Sequence, residues 1–396
     1  MSQLARSIVV VAAGAILALP VIGLTAVGAS ASTHRSHVEY VANHAWSHAS
    51  GKSCQSAKYS SIGKAVAAAQ RGDTVVVCGG TYREGMTITK SLNLVASRPS
   101  TIDATKQNIG VAVRSSWVTV RGFTIRNAIG EGVLVMNADH ATVDRNVVKN
   151  NDQGGRQHPV PNTYPQCQAQ GGIPGDCGEG IHLWSSKYST VSRNVSTGNT
   201  GGILVTDETG PSAHNRILRN VVNDNSLDCG VTVVGHNPAA APGGKPAPKV
   251  AGVYSNLVSG NVINHNGAVG HGGGVILATP FPGGAVYDNT VVHNSINGNG
   301  LSGVTVHSHA PGQYLNGNVV RYNVIGTNNV DGDTDFPVAD QQTTGVFVGT
   351  VAPLSITVKD NVIKHNHIGI WTTGPATVVG AQHNKFQHVT VPVSKN

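Results

Sequence analysis

The sequence predicts an all-β solenoid, in which the chain winds into a stack of similar coils, and two repeated phrases lead to this prediction. The first phrase is a glycine followed by a branched apolar residue, any residue, an apolar residue and any residue. Plain copies are 22 to 29 residues apart, and intervals of 42, 44 and 48 residues indicate coils with an inserted loop. Such periods are typical of β-solenoids. The phrase begins at nine glycines: Gly110, Gly132, Gly180, Gly202, Gly230, Gly274, Gly303, Gly345 and Gly369.

Each copy of this phrase has the alternation of a strand, in which successive side chains point to opposite faces. The apolar residues one and three places after the glycine therefore point inward. Stacking the coils would place like residues above one another and build two continuous apolar columns. The first column is Val133, Ile181, Ile203, Val231, Val275, Val304, Val346 and Ile370, and the second is Val135, Leu183, Val205, Val233, Leu277, Val306 and Val348.

The second phrase places an asparagine, usually followed by valine, after the next short strand of each coil. We interpret these asparagines as structural, because Asn tolerates a left-handed bend and its amide can bond to the same position one coil away. They are Asn146, Asn194, Asn220, Asn261, Asn294, Asn323, Asn361 and Asn384.

Residues 1–31 predict a cleavable signal peptide. An apolar run from Ile8 to Val27 precedes the small residues Ala29-Ser30-Ala31, which are typical of a cleavage site. The alternative is a retained membrane anchor, since the run is about long enough to span a bilayer. We expect an exported, extracellular protein with no membrane contact after cleavage.

The rest of the chain divides into a loose leader, residues 32–57, and a solenoid domain, residues 58–396. A short helix within residues 60–70, after a serine cap, is predicted to cover the open end of the solenoid. Residues 74–78 follow as a strand. Inserted loops are predicted at 152–179, 236–250 and 328–344.

Composition and charge limit the class of protein. With 12% charged and 39% hydrophobic residues the chain does not have the composition of a disordered protein. The formal net charge of +7 falls to +6 without the signal peptide, which holds one arginine and no acid. A basic exported surface favours an acidic polysaccharide as partner. The sequence shows no Lys/Arg stripe with interleaved aromatic residues, so we do not expect the protein to bind nucleic acid. We expect a monomer.

Three segments stand at the start of the solenoid domain: the opening Tyr59-Ser-Ser-Ile62, the segment Gly72-Asp-Thr-Val-Val-Val77 and the turn Gly80-Thr-Tyr82. Together with the repeats, they resemble the right-handed parallel β-helix (pectin-lyase-like) superfamily. That superfamily includes pectate and alginate lyases, polygalacturonases, mannuronan epimerases and accessory proteins of periplasmic copper enzymes. The resemblance implies a right-handed parallel β-helix with a short N-terminal capping helix. It implies activity only weakly, because the fold hosts several chemistries.

Five cysteines in an exported chain predict disulfides. Cys54 and Cys78 bracket one amphipathic segment, and Cys167 and Cys177 bracket one loop, so we pair them in this way. Cys229 is left over and is expected to be buried as a small apolar residue.

The outward positions of the glycine phrase form a mixed polar and aromatic strip across the middle coils. A sugar-binding groove needs this mixture of hydrogen-bonding groups beside an aromatic face. The alternative is a wall on which an inserted loop packs. The candidate substrate-binding residues are His182, Trp184, Thr206, Thr232 and Thr305.

Acids and histidines follow the same strands and are candidates for acid–base chemistry. Glu208 and His236 should lie about 5 Å apart on adjacent coils. A carboxylate beside an imidazole can orient it as a base, although a solvated ion pair is the alternative. The candidate catalytic residues are Asp207, Glu208, His236, His307, His309 and Tyr314, the last as a proton donor.

A second acidic cluster precedes these strands. Its carboxylates could hold Ca²⁺ through oxygen ligands, or they could be ordinary turn residues. The candidate metal ligands are Asp176, Glu179, Asp228 and His271.

These residues predict a lyase- or epimerase-like enzyme acting on an acidic polysaccharide. Asp207 and Asp228 are up to about 20 Å apart along extended chain, too far for the carboxylate pair of a glycoside hydrolase. The alternative is a non-catalytic protein that presents a glycan- or metal-binding face.

Overall fold

Parallel strands stacked coil upon coil make up almost all of the regular structure. The computed structural model describes residues 36–44, 50–153, 178–269, 272–332 and 341–396. The predicted signal peptide and the predicted Cys167–Cys177 disulfide lie outside these residues. No helix in the described part has the length and apolar character needed to cross a membrane.

Sheet 1 contains all nine predicted glycine phrases. Among the described residues it has eleven strands, every neighbouring pair parallel, and it extends one strand beyond the repeats at each end. Its strands are Met86–Ile88, Val111–Val113, Val133–Met136, Glu179–Trp184, Gly201–Thr206, Val231–Val234, Val275–Thr279, Val304–Ser308, Thr344–Gly349, Ile368–Thr373 and Val391–Lys395.

A larger sheet, with 21 strands in the described part, forms the other walls in two rows that two long strands join. Row A is Val38–Val41, Thr74–Val77, Asn93–Asp103, Thr119–Arg126, Thr142–Asp144, Thr190–Ser192, Arg216–Leu218, Leu257–Ser259, Thr290–Val292, Val319–Arg321, Leu354–Lys359 and Ala376–Val379. Row B includes the second halves of the long strands Asn93–Asp103 and Thr119–Arg126. Its other strands are Gly80–Tyr82, Val147–Lys149, Val195–Thr197, Val221–Asn223, Val262–Asn264, Ser295–Asn297, Val324–Ile325, Val362–Lys364 and Lys385–Gln387.

The remaining elements are short. A small parallel sheet joins Ser212–Ala213, Val253–Tyr254 and Val286–Tyr287. Among the described residues the α-helix is Ile62–Ala68, and the 3₁₀ helices are Cys54–Ser56, Pro242–Gly244 and Ala381–His383.

The core forms as the alternation predicts. Every member of the two predicted columns has no exposed surface. At the glycine that opens each phrase, neighbouring atoms are too close to leave room for a side chain. A Cβ on Gly202 would lie 2.3 Å from the carbonyl oxygen of Gly230 and 2.2 Å from a methyl group of Val222. Coils could not stack at strand spacing with a larger residue there.

The N-terminal end agrees in part with the prediction. The Ser61 hydroxyl accepts a bond from the Lys64 amide and caps the helix, whose Ile62 and Val66 join the core. The Cys54–Cys78 disulfide is confirmed, and Cys229 is buried and unbonded to another cysteine. The prediction of a loose leader is wrong for Val38–Val41, which pairs in parallel with Thr74–Val77 and extends row A.

Buried asparagines form three ladders, of which the sequence predicted one. In the predicted ladder the Asn194 amide N–H and side-chain Nδ2 both donate to Asn220 Oδ1, at 2.9 and 3.0 Å. The second ladder is Asn151, Asn199, Asn225, Asn266, Asn299, Asn328 and Asn366, and the third is Asn215, Asn256, Asn289 and Asn318.

The asparagines do not themselves adopt the left-handed conformation, contrary to the prediction. The residue before them does: Arg145, Arg193 and Arg219 each have a φ of 54°. The turn therefore points an exposed side chain outward, and the following asparagine points inward to satisfy the backbone of the neighbouring coil.

Replacing Asn220 with alanine tests the ladder. The change removes the acceptor of the Asn194 amide and the donor to the Val191 carbonyl, both buried. Two buried groups without partners cost about 2–4 kcal/mol of unfolding free energy. Denaturant titration should show this loss. Asn223→Ala is the matched control, since Asn223 Oδ1 accepts no bond among the described residues, and an equal loss in both variants would contradict the ladder's role.

Candidate functional site

The outward face of sheet 1 has the predicted register. One column contains Leu134, His182, Leu204 and Thr232 on successive coils, and continues through Thr305. The next column places Trp184 beside Thr206 and, further along, Ala278 beside His307. The vertical neighbours inferred from the sequence are therefore the neighbours in the structure.

These outward side chains are covered rather than open to solvent. The five predicted substrate-binding residues are at most 7% exposed. This favours the covered wall, the second of the two alternatives, over an open groove. Trp184 lies 5.5 Å from the His182 ring, and its indole N–H has no hydrogen-bond partner among the described residues. Thr305 bonds to the Ser302 hydroxyl at 2.6 Å.

Glu208 and His236 meet as predicted. His236 Nδ1 lies 3.0 Å from Glu208 Oε1, and their side chains are only 1% and 8% exposed, respectively. The pair is therefore not a solvated ion pair. Burial raises the pKa of Glu208, but the hydrogen bond from His236, the charges of His182 and His236 and the bond from Thr206 outweigh it and leave that pKa lowered. Glu208 is thus an ionised acceptor that holds Nδ1 as the donor.

The pair belongs to a longer buried chain of polar groups. The Thr206 hydroxyl donates to Glu208 Oε2 at 2.5 Å, and His182 Nε2 lies 2.8 Å from the same hydroxyl. Because a hydroxyl has one proton, His182 Nε2 must be the donor in that contact. His182 Nδ1 then faces Glu131 Oε1 at 3.4 Å. A bond there requires a proton on His182 Nδ1 or on the Glu131 carboxylate.

Glu131 is the site residue that the sequence did not reveal. It stands between Gly130 and Gly132 and looks like part of a turn. It is 1% exposed, and its Oε2 accepts no bond among the described residues. The register between coils could have revealed Glu131. It pairs Val133 with Ile181, and therefore stacks Glu131 beside Glu179, the first residue of the strand Glu179–Trp184.

Asp207, one of the predicted catalytic residues, is buried and bonded to backbone amides. Its carboxylate accepts backbone N–H bonds from His236 at 2.6 Å, Asn237 at 3.1 Å and Gly252 at 2.6 Å. Burial raises its pKa to about 6 despite these bonds. Because its two oxygens are engaged with the backbone, Asp207 fixes the segment that carries His236.

His307, His309 and Tyr314 are the remaining predicted acid–base residues. The His307 and His309 rings are 4.5 Å apart. Desolvation, followed by the charge of His309, lowers the pKa of His307 to about 3, which makes it a weak base at neutral pH. Tyr314 packs its ring edge-on against Tyr287, with 5.5 Å between the ring centres.

The predicted metal ligands are only partly described. Asp176 and His271 lie outside the described residues. Asp228 Oδ1 accepts a bond from the next amide, that of Cys229, at 2.7 Å, which is turn chemistry, and Glu179 is buried. No group of three or more His, Cys, Asp or Glu suited to a metal occurs in the described part of the chain.

Comparison with known proteins agrees with this geometry. A family model described as a right handed beta helix region matches residues 100–282. The chain is a right-handed parallel β-helix. The sequence resemblance implied this fold. No curated protein matches the sequence.

Three solved structures share most of the β-helix. Pectate lyase Pel9A is 16% identical over 83% of this chain and 78% of its own, with a TM-score of 0.50. The alginate lyase from Paenibacillus sp. str. FPU-7 is 12% identical over 89% and 99%, with a TM-score of 0.51. PfbA, a surface adhesin of Streptococcus pneumoniae, is 12% identical over 84% and 87%, with a TM-score of 0.52. At these identities the likeness establishes the fold.

Lowering the pH tests whether the pKa of His307 is lowered in the folded protein. Its lowered pKa means that the folded β-helix binds fewer protons than the unfolded chain between about pH 3 and 6.5. Stability associated with this residue is present above pH 6.5 and is lost as the pH falls. From pH 7 to 4.5 the wild type should lose about 2 kcal/mol more unfolding free energy than His307→Gln. Equal losses in denaturant titrations would show that His307 is protonated normally.

Proposed function

We propose that this β-helix is an exported enzyme that acts on an acidic polysaccharide, with His236 as its base and Glu208 orienting that base. The observation that carries the proposal is the buried 3.0 Å contact between His236 Nδ1 and Glu208 Oε1, continued through Thr206 to His182 and Glu131. A carboxylate that holds one ring nitrogen as donor favours proton uptake at the other.

The reaction that fits is removal of the proton α to a uronate carboxylate. The C–H bond breaks, its proton goes to His236 Nε2, and the electron pair is delocalised into the sugar carboxylate. Expulsion of the glycosidic oxygen at the β position, which takes up a proton from water and leaves as a hydroxyl group, would complete a lyase reaction. Return of a proton from water to the other face of the carbon would complete an epimerisation. Phe281, which is 37% exposed, lies 6.3 Å from the His236 ring.

Export is supported by two features. These are the N-terminal apolar run with small residues after it and the Cys54–Cys78 disulfide. A basic exported protein would attract an acidic polysaccharide over distances of about a Debye length, roughly 8 Å at physiological salt.

A second candidate function is glycan binding without turnover. The burial of His182, Trp184 and Thr206 disfavours turnover at this site, because an active site must admit substrate, and glycan binding would then use another, exposed surface. The adhesin and the two lyases have nearly equal structural similarity to this chain, so similarity does not separate the candidates.

Activity assays on pectate and alginate test the proposal. Wild type should generate unsaturated ends or a changed epimer ratio, and Glu208→Gln and His236→Gln should each lower kcat at least about 100-fold, the contribution of a positioned acid or base. The matched control is the exposed pair His265 and Asp224, whose Nδ1 and Oδ1 atoms are 3.8 Å apart on another wall.

The controls His265→Gln and Asp224→Asn should leave turnover unchanged. Turnover that survives both site variants would exclude His236 as the base. Polysaccharide binding by the wild type with neither product would favour the glycan-binding function instead.

A further inference from the structure

A second surface of the β-helix, on a different sheet from the candidate site, gathers charge and aromatic rings. It is the outward face of row A over five consecutive coils, and we call it the row A face. Thr119, Thr142, Thr190 and Arg216 are vertical neighbours on it. Arg121, Asp144, Ser192, Leu218 and Ser259 form the next column.

Arginines line one edge of this face. Arg145, Arg193 and Arg219 occupy the same left-handed turn position on three successive coils and are all exposed. The repeated turn geometry directs them to the same edge. On the next coil this position is Gly260, which has no side chain and leaves the edge open.

The positive charge on this face is largely uncompensated. Buried Asp144 pairs with Arg121 at 3.0 Å, Arg145 at 3.3 Å and Arg193 at 2.6 Å. Arg216 and Arg219 form no salt bridge among the described residues. Three of the five arginines therefore share one carboxylate.

A groove of about 400 Å³ lies between these arginines. Leucine side chains contribute apolar surface, and Thr190, Ser192 and Ser259 contribute hydroxyl groups. Such a groove combines charged donors, neutral hydrogen-bonding groups and an apolar surface. Its lining residues are Thr190, Ser192, Arg193, Arg216, Leu218, Arg219, Leu257, Ser259 and Gly260.

A stack of aromatic rings forms the other edge. Trp117 and Tyr188, 66% and 51% exposed, both stack on His140, at 3.9 and 5.1 Å between ring centres. Tyr188 also stacks on His214 at 5.0 Å. Because most of the ring faces pack against another ring of the stack, the stack presents mainly ring edges.

We propose that the row A face binds an anionic polysaccharide, with Arg193, Arg216 and Arg219 contacting its carboxylate or sulfate groups. Guanidinium groups suit such oxyanions because they donate paired hydrogen bonds. Single-stranded nucleic acid is the less fitting polyanion, since it requires open ring faces for its bases. The inference rests on row A alone and does not depend on catalysis at His236.

Binding to polygalacturonate, alginate and heparin tests this inference. Intact protein is titrated with each polymer, with neutral dextran and with a single-stranded oligonucleotide. The Arg216→Ala/Arg219→Ala variant should bind at least one anionic polysaccharide about tenfold more weakly, through two lost ion pairs. Higher salt should weaken wild-type binding.

Two controls make the result specific. Arg71→Ala/Arg83→Ala removes the same charge from exposed positions near the N-terminal end and should bind as the wild type does. Glu208→Gln should also keep this binding, which separates the row A face from the candidate site. Unchanged binding by the Arg216/Arg219 variant, an equal loss in the Arg71/Arg83 control, or tighter binding of the oligonucleotide would each overturn the inference.

Discussion

Parallel pairing between consecutive coils is the interaction on which every other feature of this protein depends. It places residues that are 22 to 48 positions apart at strand spacing, about 4.8 Å. The apolar columns and asparagine ladders then hold the register, because a shift of one residue would turn apolar side chains such as Val231 to the outer face and bury polar ones. Both the candidate site and the row A face are products of this vertical alignment.

Features that repeat once per coil could be predicted from the sequence, because their register follows from one recurring glycine. The contact of Glu208 with His236 was predictable for this reason. Features that depend on how side chains pack around the coils were not. Glu131 lies between two glycines and looks like part of a turn. Nothing local in the sequence shows that Thr206 is covered.

The row A face also could not be predicted from the sequence. Its arginines and aromatic rings are dispersed along the sequence, where no basic stripe is visible, and only stacking collects them. The left-handed position before each ladder asparagine determines that Arg193 and Arg219 share an edge. The two surfaces therefore differ in kind. One is a buried chain of proton-sharing groups, and the other is an exposed array of fixed positive charge.

A double-mutant cycle on unfolding free energy tests the vertical alignment most directly. Glu208 and His236 are 28 residues apart, and only stacking brings them into contact. Glu208→Ala, His236→Ala and the double variant should give a coupling energy of about 1–3 kcal/mol, as expected for a buried charge-assisted hydrogen bond. A coupling energy near zero would mean that the two side chains do not meet, and the proposed register would be wrong.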